Sequence, residues 1–278
     1  TMEDILATFP GVDDAARLRA CISHAYETWG VSYVLLGGDV STVPCRGAYA
    51  RTSGQTDTAM PCDLYFACLD GSWNADGDAL WGEPTDGEDG GDVDLLAEVY
   101  VGRAPVDTPA EATAFVAKTI AYADNRHANV DDALLLGEYL GLYNGIVAQG
   151  GDGLDPLLPS LSRHYVSWLD DRPQARRTWN ATAAVAALGA APHLVGHYGH
   201  GNAVTGLGMG NADVARLVNP HPFLAYSSAC QSGEFDKSDC FAEELIKRPV
   251  HGAFAAVMNS SLGWFSSLDE SKYSGEFM

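Results

Sequence analysis

His193-Leu194-Val195-Gly196-His197-Tyr198-Gly199-His200-Gly201-Asn202 and Phe223-Leu224-Ala225-Tyr226-Ser227-Ser228-Ala229-Cys230 are the stretches on which the fold turns. Each is a short apolar run that ends in small residues and one reactive side chain. Runs of this kind read as strands buried on both faces. In the first, the strand delivers its chain into a turn flanked by glycines, which permit unusual dihedrals and the close approach of another backbone. In the second, the strand closes on Ala229 and then a cysteine. If the two strands are neighbours, His200 and Cys230 sit side by side at one sheet edge, where a thiol gains a base within hydrogen-bond reach.

Working outward, the same pattern repeats. Apolar strands are expected at 31–36, 98–103, 133–137, 164–169, 192–198, 222–228 and 252–258. Helices are expected at 13–28, where Ala16, Leu18, Cys21, Ile22 and Ala25 keep helical spacing, at 109–124, where Pro109 suits a first turn, and at 178–188. Residues 40–95 read as loop. Buried strands alternating with helices argue an α/β domain with a mostly parallel sheet covered on both faces. In such sheets ligands bind beyond the carboxyl ends of the strands, and the reactive residues lie there. The sequence divides into an N-terminal α/β subdomain with an acidic loop, 1–125, and a second subdomain, 126–278, that holds the reactive side chains.

The 278 residues carry 37 acidic and 16 basic side chains, a net charge of −21. Such a surface repels phosphate backbones, so nucleic acid is excluded as a partner, while basic substrates and divalent cations are attracted. No apolar run approaches the roughly 18 residues of a membrane span. The chain opens on Thr1-Met2-Glu3 with no signal-peptide pattern and runs almost at once into helix-forming sequence. A processing boundary and a longer precursor are therefore expected. Cys21, Cys45, Cys62, Cys68, Cys230 and Cys240 form no CxxC pair, which argues against structural zinc. Cys45, Cys62 and Cys68 lie close together in sequence, and an exported protein would have one disulfide among them available.

Seven segments in order carry a resemblance. They are Tyr33-Val34-Leu35-Leu36-Gly37-Gly38-Asp39 with Pro44, Asp63-Leu64-Tyr65, Leu69-Asp70-Gly71, Val99-Tyr100-Val101-Gly102-Arg103, Leu135-Leu136-Gly137-Glu138, Gly199-His200-Gly201 and Ala229-Cys230. Together they resemble the gingipain-like cysteine peptidases, peptidase family C25 of the caspase–legumain clan, over nearly the whole chain. A lone cysteine after a strand is more often a small hydrophobe. The ordered set outweighs that reading for Cys230 and His200 and leaves the other cysteines as core or disulfide residues.

The resemblance implies a caspase-like (caspase-hemoglobinase) fold of two subdomains and a secreted or cell-surface cysteine endopeptidase. It implies Cys230 as nucleophile, His200 as acid–base, Glu138 as the acid that orients the histidine, and the N–H groups of Gly201 and Cys230 as oxyanion donors. It implies Asp152 as the acid of a primary pocket for Arg or Lys, with Tyr198, Ser228 and Trp264 lining it. The partners implied are peptide or protein substrates and other parts of its own precursor. Family members also use calcium structurally. Asp70, Asn74, Asp76, Asp78 and Glu83 offer oxygen ligands in a loop that is not an EF-hand, and Asp86, Glu88, Asp89, Asp92 and Asp94 add carboxylates. Two rival readings stay open: a non-catalytic binding module on a peptidase fold, and a metal-dependent hydrolase using His193, His197 and His200.

Overall fold

Asp13 opens the first long helix as the pattern requires. Its carboxylate accepts the Ala16 N–H at 2.8 Å, and the helix ends at Gly30 in the left-handed region, φ 67°. A computed structural model describes residues 1–52, 54–124, 130–143, 146–172 and 179–264. The chain forms two units, Thr1–Asp107 and Thr108–Met278.

The first unit contains α1 (Met2–Thr8), α2 (Asp14–Trp29), β1 (Tyr33–Gly37), β2 (Arg46–Thr52), β3 (Gln55–Cys62), α3 (Leu64–Ala67) and β4 (Tyr100–Ala104). β1 and β4 pair in parallel, and β2 and β3 form an antiparallel hairpin. Leu18, Ile22, Leu36, Phe66, Trp73 and Val99 build its core. The hairpin falls where the sequence reads as loop. Its residues alternate small and polar, so no apolar period marks it. What it buries is Arg46, held by Asp13 in a two-point ion pair and stacked 3.5 Å over Trp81. None of the six cysteines is in a disulfide, so no such bond joins Cys45, Cys62 and Cys68. Cys68 is wholly buried in the core, and burial pushes its thiol up to about 11.

The second unit runs through α4 (Pro109–Asp124), β5 (Asp132–Gly137), β6 (Tyr139–Tyr143), β7 (Ile146–Gln149), α5 (Gly150–Leu154), β8 (Tyr165–Asp170), α6 (Ala181–Gly189), β9 (Leu194–Tyr198), β10 (Thr205–Gly206), β11 (Met209–Gly210), α7 (Asn211–Val214), β12 (Phe223–Ser227), α8 (Phe241–Lys247) and β13 (Ala253–Met258). The first residue expected in the helix at 178–188, Thr178, lies outside the described residues. Five strands form one wholly parallel sheet in the order β13-β12-β9-β5-β8. Period-two alternation sends Leu134, Leu136, Val195, Phe223 and Ala225 into one core layer. It sends Ala133 and Leu135 into another, with Leu154, Leu161 and Tyr198. The α/β architecture with flanking helices is the one expected.

α4 belongs to the second unit rather than to the first, and the expected boundary at 125/126 lies outside the described residues. The reason is Lys118. Its ammonium donates to the carbonyls of Leu245, Ile246, Arg248 and His251 at 2.7–3.3 Å, around the end of α8. Those carbonyls have no partner within the helix, and the buried lysine satisfies them.

In the first unit Arg103 plays the matching part. Its guanidinium makes two bonds to Asp63, at 2.7 and 2.8 Å, and donates to the carbonyls of Gly38, Val43 and Pro44. Arg103→Ala strands a half-enclosed carboxylate and three carbonyls. It is expected to destabilise the protein by about 3–5 kcal/mol, read as a shift in the urea midpoint.

Candidate active site

The strand order places the site. From β5 the chain moves outward to β8 on one side, then returns to lay β9 on the other side of β5. The loops after β5 and β9 therefore diverge and open a crevice at the carboxyl edge. β9 and β12 are parallel neighbours, with His197 opposite Ser227. His200 and Cys230 each lie three residues beyond that registered pair, so both strands deliver their reactive residue to the same level. The two turns touch. A Cβ on Gly201 would stand 2.7 Å from Ala229 Cβ and 3.2 Å from Cys230 O, so only glycine fits there.

His200 is exposed, and its ring Nε2 lies 3.1 Å from the Tyr139 carbonyl. A carbonyl only accepts, so Nε2 carries the proton and Nδ1 holds the lone pair. Glu138, directly after β5, does not reach the imidazole. Its Oε2 accepts the main-chain N–H of His200 at 2.9 Å, and its Oε1 lies 3.3 Å from Nε2 of His197. Burial pushes the Glu138 carboxyl up, but the bonds from His197 and the His200 N–H more than offset this, leaving it below the usual carboxylate value. His197 is 0% exposed, and its Nδ1 lies 2.8 Å from Ser227 Oγ.

Cys230 is half-buried, and the next residue, Gln231, takes a left-handed conformation, φ 54°. A non-glycine residue there marks a turn held by its surroundings. The hold comes from the segment after β13. Gln231 N–H donates to Ser261 O at 2.7 Å, and Asn259 Nδ2 donates to the carbonyls of Ser228 and Ala229. The Gly263 N–H points at Cys230 Sγ, 3.3 Å away. Among the described residues no acceptor takes the N–H of Gly201 or of Cys230. Beside His200 opens a cleft of about 450 Å³ floored by Gly201, Gly206, Gly208 and Gly210, with Asp213 on its wall.

The residues expected to bind substrate divide. Asp152 is in α5, whose first glycine packs against the Tyr198 carbonyl at the end of β9. Its carboxylate is not free. Arg172 donates to Asp152 at 2.9 Å, to Asp155 at 2.7 Å and to Asp170 at 2.6 Å. Trp264 follows Gly263 directly and is half-buried. Tyr198 and Ser228 are only 2% and 6% exposed. Tyr198 packs with Leu135, Leu154 and Leu161, so it belongs to the core rather than to an open pocket.

The three histidines of the metal-hydrolase reading do not converge. His193 precedes β9, packs against the stacked rings of Tyr122 and Phe254, and stands at the opposite end of the strand from His200. His197 is enclosed by Ser227 and Glu138. Among the described residues the only groupings with metal-ligand geometry are acidic and lie elsewhere. One is Asp76, Glu83 and Asp86, with one oxygen from each within 4.8 Å of the others. Asp70 falls outside it, with Asp94 and Glu98, and Asp78 instead caps the Leu80 N–H at 2.6 Å. Glu83 is 6% exposed, and its Oε2 has no hydrogen-bond partner. Burial pushes its carboxyl up, and Asp78, Asp86 and Asp76 add to the rise. Thr85 Oγ1 donates to Glu83 Oε1 at 3.0 Å, and the enclosed Oε2, which has no donor, fits a cation.

Sequence reasoning did not find Tyr139, Arg172 or Gly263. Tyr139 and Gly263 act through main-chain atoms, which leave no mark on residue type. Arg172 is one basic residue among many acids, and its three partners are scattered between positions 152 and 170, where only the fold gathers them.

With this geometry in hand, the known proteins can be compared. No curated protein matches the chain. One solved protease structure superposes with a TM-score of 0.66 at 18% identity, over 90% of this chain and 50% of that one. The complex of Porphyromonas gingivalis RgpB pro- and mature domains superposes with a TM-score of 0.64 at 18% identity, over 94% of this chain and 57% of that one. The chain thus spans about half the length of these structures and shares their caspase-like fold. The sequence profile of peptidase family C25 matches residues 1–278, the whole chain. By that match, the chain belongs to peptidase family C25.

Proposed function

We propose that the chain is the catalytic part of a cysteine endopeptidase. The observation that carries this reading is the shared level of His200 and Cys230 beyond the registered pair His197–Ser227. In this reading His200 Nδ1 takes the thiol proton, and the Cys230 thiolate attacks the scissile carbonyl carbon, forming an S–C bond. The oxygen that gains the electron pair is received by the N–H groups of Gly201 and Cys230. The imidazolium returns its proton to the leaving amine as the C–N bond breaks. Water, deprotonated by His200, then cleaves the thioester, releasing the acid and restoring the thiol. The Tyr139 carbonyl keeps the ring in the tautomer this sequence needs.

The pocket acid in this reading is Asp152, and the residue before the cut is basic, Arg before Lys. Arg172 already holds one Asp152 oxygen, yet three carboxylates against one guanidinium leave a surplus of two negative charges. A substrate guanidinium meets that surplus with a two-point fork, whereas an ammonium offers a point charge. The net charge of −21 adds a long-range, salt-sensitive pull on cationic peptides.

A structural calcium ion belongs to the same reading. Asp76, Glu83 and Asp86 supply carboxylates, and Asn74 Oδ1, also enclosed and without a donor, supplies a neutral oxygen. The ion ties loop to loop and takes no part in bond cleavage. Family membership supports a secreted or cell-surface location, peptide or protein substrates, and contacts with other parts of a precursor.

Three outcomes are expected. Cys230→Ala folds but cleaves no peptide, His200→Ala loses at least about a hundredfold in kcat, and iodoacetamide abolishes turnover that survives a chelator. A folded Cys230→Ala with wild-type turnover rejects the enzyme reading and leaves a binding module. Profiling with peptides varied only before the cut gives Arg over Lys, and Asp152→Ala loses Arg cleavage while keeping neutral substrates; preference for an acidic or apolar residue there sinks the pocket assignment. Calcium returned after thorough chelation raises Tm, because it binds the folded state alone. Glu83→Gln removes that response, and an unchanged Tm in the wild type counts against the site.

A further inference from the structure

Behind the two reactive residues lies a continuous chain of hydrogen bonds through the middle of the sheet. Ala229, next to Cys230, donates its N–H to Ser227 Oγ at 3.2 Å. Ser227 Oγ lies 2.8 Å from His197 Nδ1, and His197 Nε2 lies 3.3 Å from Glu138 Oε1. Glu138 Oε2 accepts the N–H of His200 at 2.9 Å. Four links therefore connect the backbone beside the nucleophile to the backbone of the acid–base residue, crossing β12, β9 and the loop after β5.

The proton positions follow from the partners. An ionised carboxylate only accepts, so His197 Nε2 carries the hydrogen, and in a neutral ring Nδ1 is then an acceptor. Ser227 already accepts from Ala229, and its own hydrogen goes to Nδ1. Each group then has a partner for what it offers. Ser227 and His197 are 1% and 0% exposed, so no water competes. A fully satisfied polar chain in a dry core is stiff, because breaking one link leaves a buried group unpaired.

We propose that His197 is a positioning residue that locks the Cys230 turn and the His200 turn at one fixed separation, through Ser227 on one side and Glu138 on the other. This goes beyond the dyad and rests on the peptidase reading of it. Bond formation between a sulfur and a carbonyl carbon is sensitive to offsets on the order of 1 Å. The parallel register sets the level of the two turns but not how they are held against each other beyond the strand ends, and the chain through His197 fixes that. The glycine at 199 has its reason here. A Cβ at that position would collide with both His197 Nε2 and the Glu138 carboxyl.

The test uses the peptide that the wild type cleaves best from a mixed library. Ser227→Ala removes the two links made by Ser227 Oγ at little packing cost. It is expected to lower kcat about tenfold or more with KM unchanged, and to lower Tm modestly, since His197 Nδ1 loses its partner, while the protein stays folded at the assay temperature. Combining it with Glu138→Gln adds little to the loss from Glu138→Gln alone, since both break one chain and Ser227 reaches the His200 backbone only through His197 and Glu138. An independent arm needs no turnover: imidazole nitrogen shifts in Cys230→Ala report His197 protonated at Nε2 and bare at Nδ1. Wild-type kcat in Ser227→Ala, fully additive losses in the double variant, or a proton on Nδ1 overturns the proposal. Should the wild type cleave no library peptide, the peptidase reading falls, and the nitrogen shifts still decide the hydrogen-bond chain.

Discussion

The parallel pairing of β9 with β12, in the register that sets His197 against Ser227, is the constraint from which the site follows. In a parallel ladder both strands run out at the same edge, so whatever closes each strand is presented together. Here one strand closes on a histidine and the other on a cysteine. The register also brings two polar side chains opposite each other inside the sheet, where each needs a partner. They partner one another, and the arrangement is stable only in that register. A slip by one residue would turn Ser227 to the opposite face and leave His197 unpaired in a dry core.

The second determinant is the crevice. Reversal of strand order between β5 and β9 opens the crevice in which Glu138 and Tyr139 approach the turn after β9. Glycine is required at several points of this approach for lack of space rather than for unusual dihedrals. Gly201 lies against the nucleophile turn, and Gly150 lies against the Tyr198 carbonyl. A side chain at either position would push apart the segments whose proximity makes the site.

A net charge of −21 is managed by giving the buried cations unusually many acceptors. Arg103 takes Asp63 and three carbonyls, Lys118 takes four carbonyls, and Arg172 takes three carboxylates. A cation removed from water needs such compensation, and an acidic chain has acceptors in excess. The same excess leaves Glu83 Oε2 enclosed without a donor and Asp152 with capacity beyond what Arg172 uses.

The sequence by itself determined the layers and the place of His200 and Cys230 beyond the ends of two buried strands. Apolar runs at 133–137, 192–198, 222–228 and 252–258 are local signals, since a strand buried on both faces must be apolar at each step. His200 and Cys230 were legible because each closes such a run. The hairpin Arg46–Thr52/Gln55–Cys62 was not legible, because its stability comes from a buried arginine rather than from an apolar period. Only the tertiary structure decided that Glu138 holds the backbone of His200 and the ring of His197, that Tyr139 orients the imidazole, and that Arg172 meets Asp152. It alone moved Asp86 into the acidic group and Asp70 out of it. The physical reason is the same in each case. A hydrogen bond or ion pair depends on separations of a few tenths of an ångström between atoms from 3 to more than 60 residues apart, and residue type along the chain carries no record of that distance.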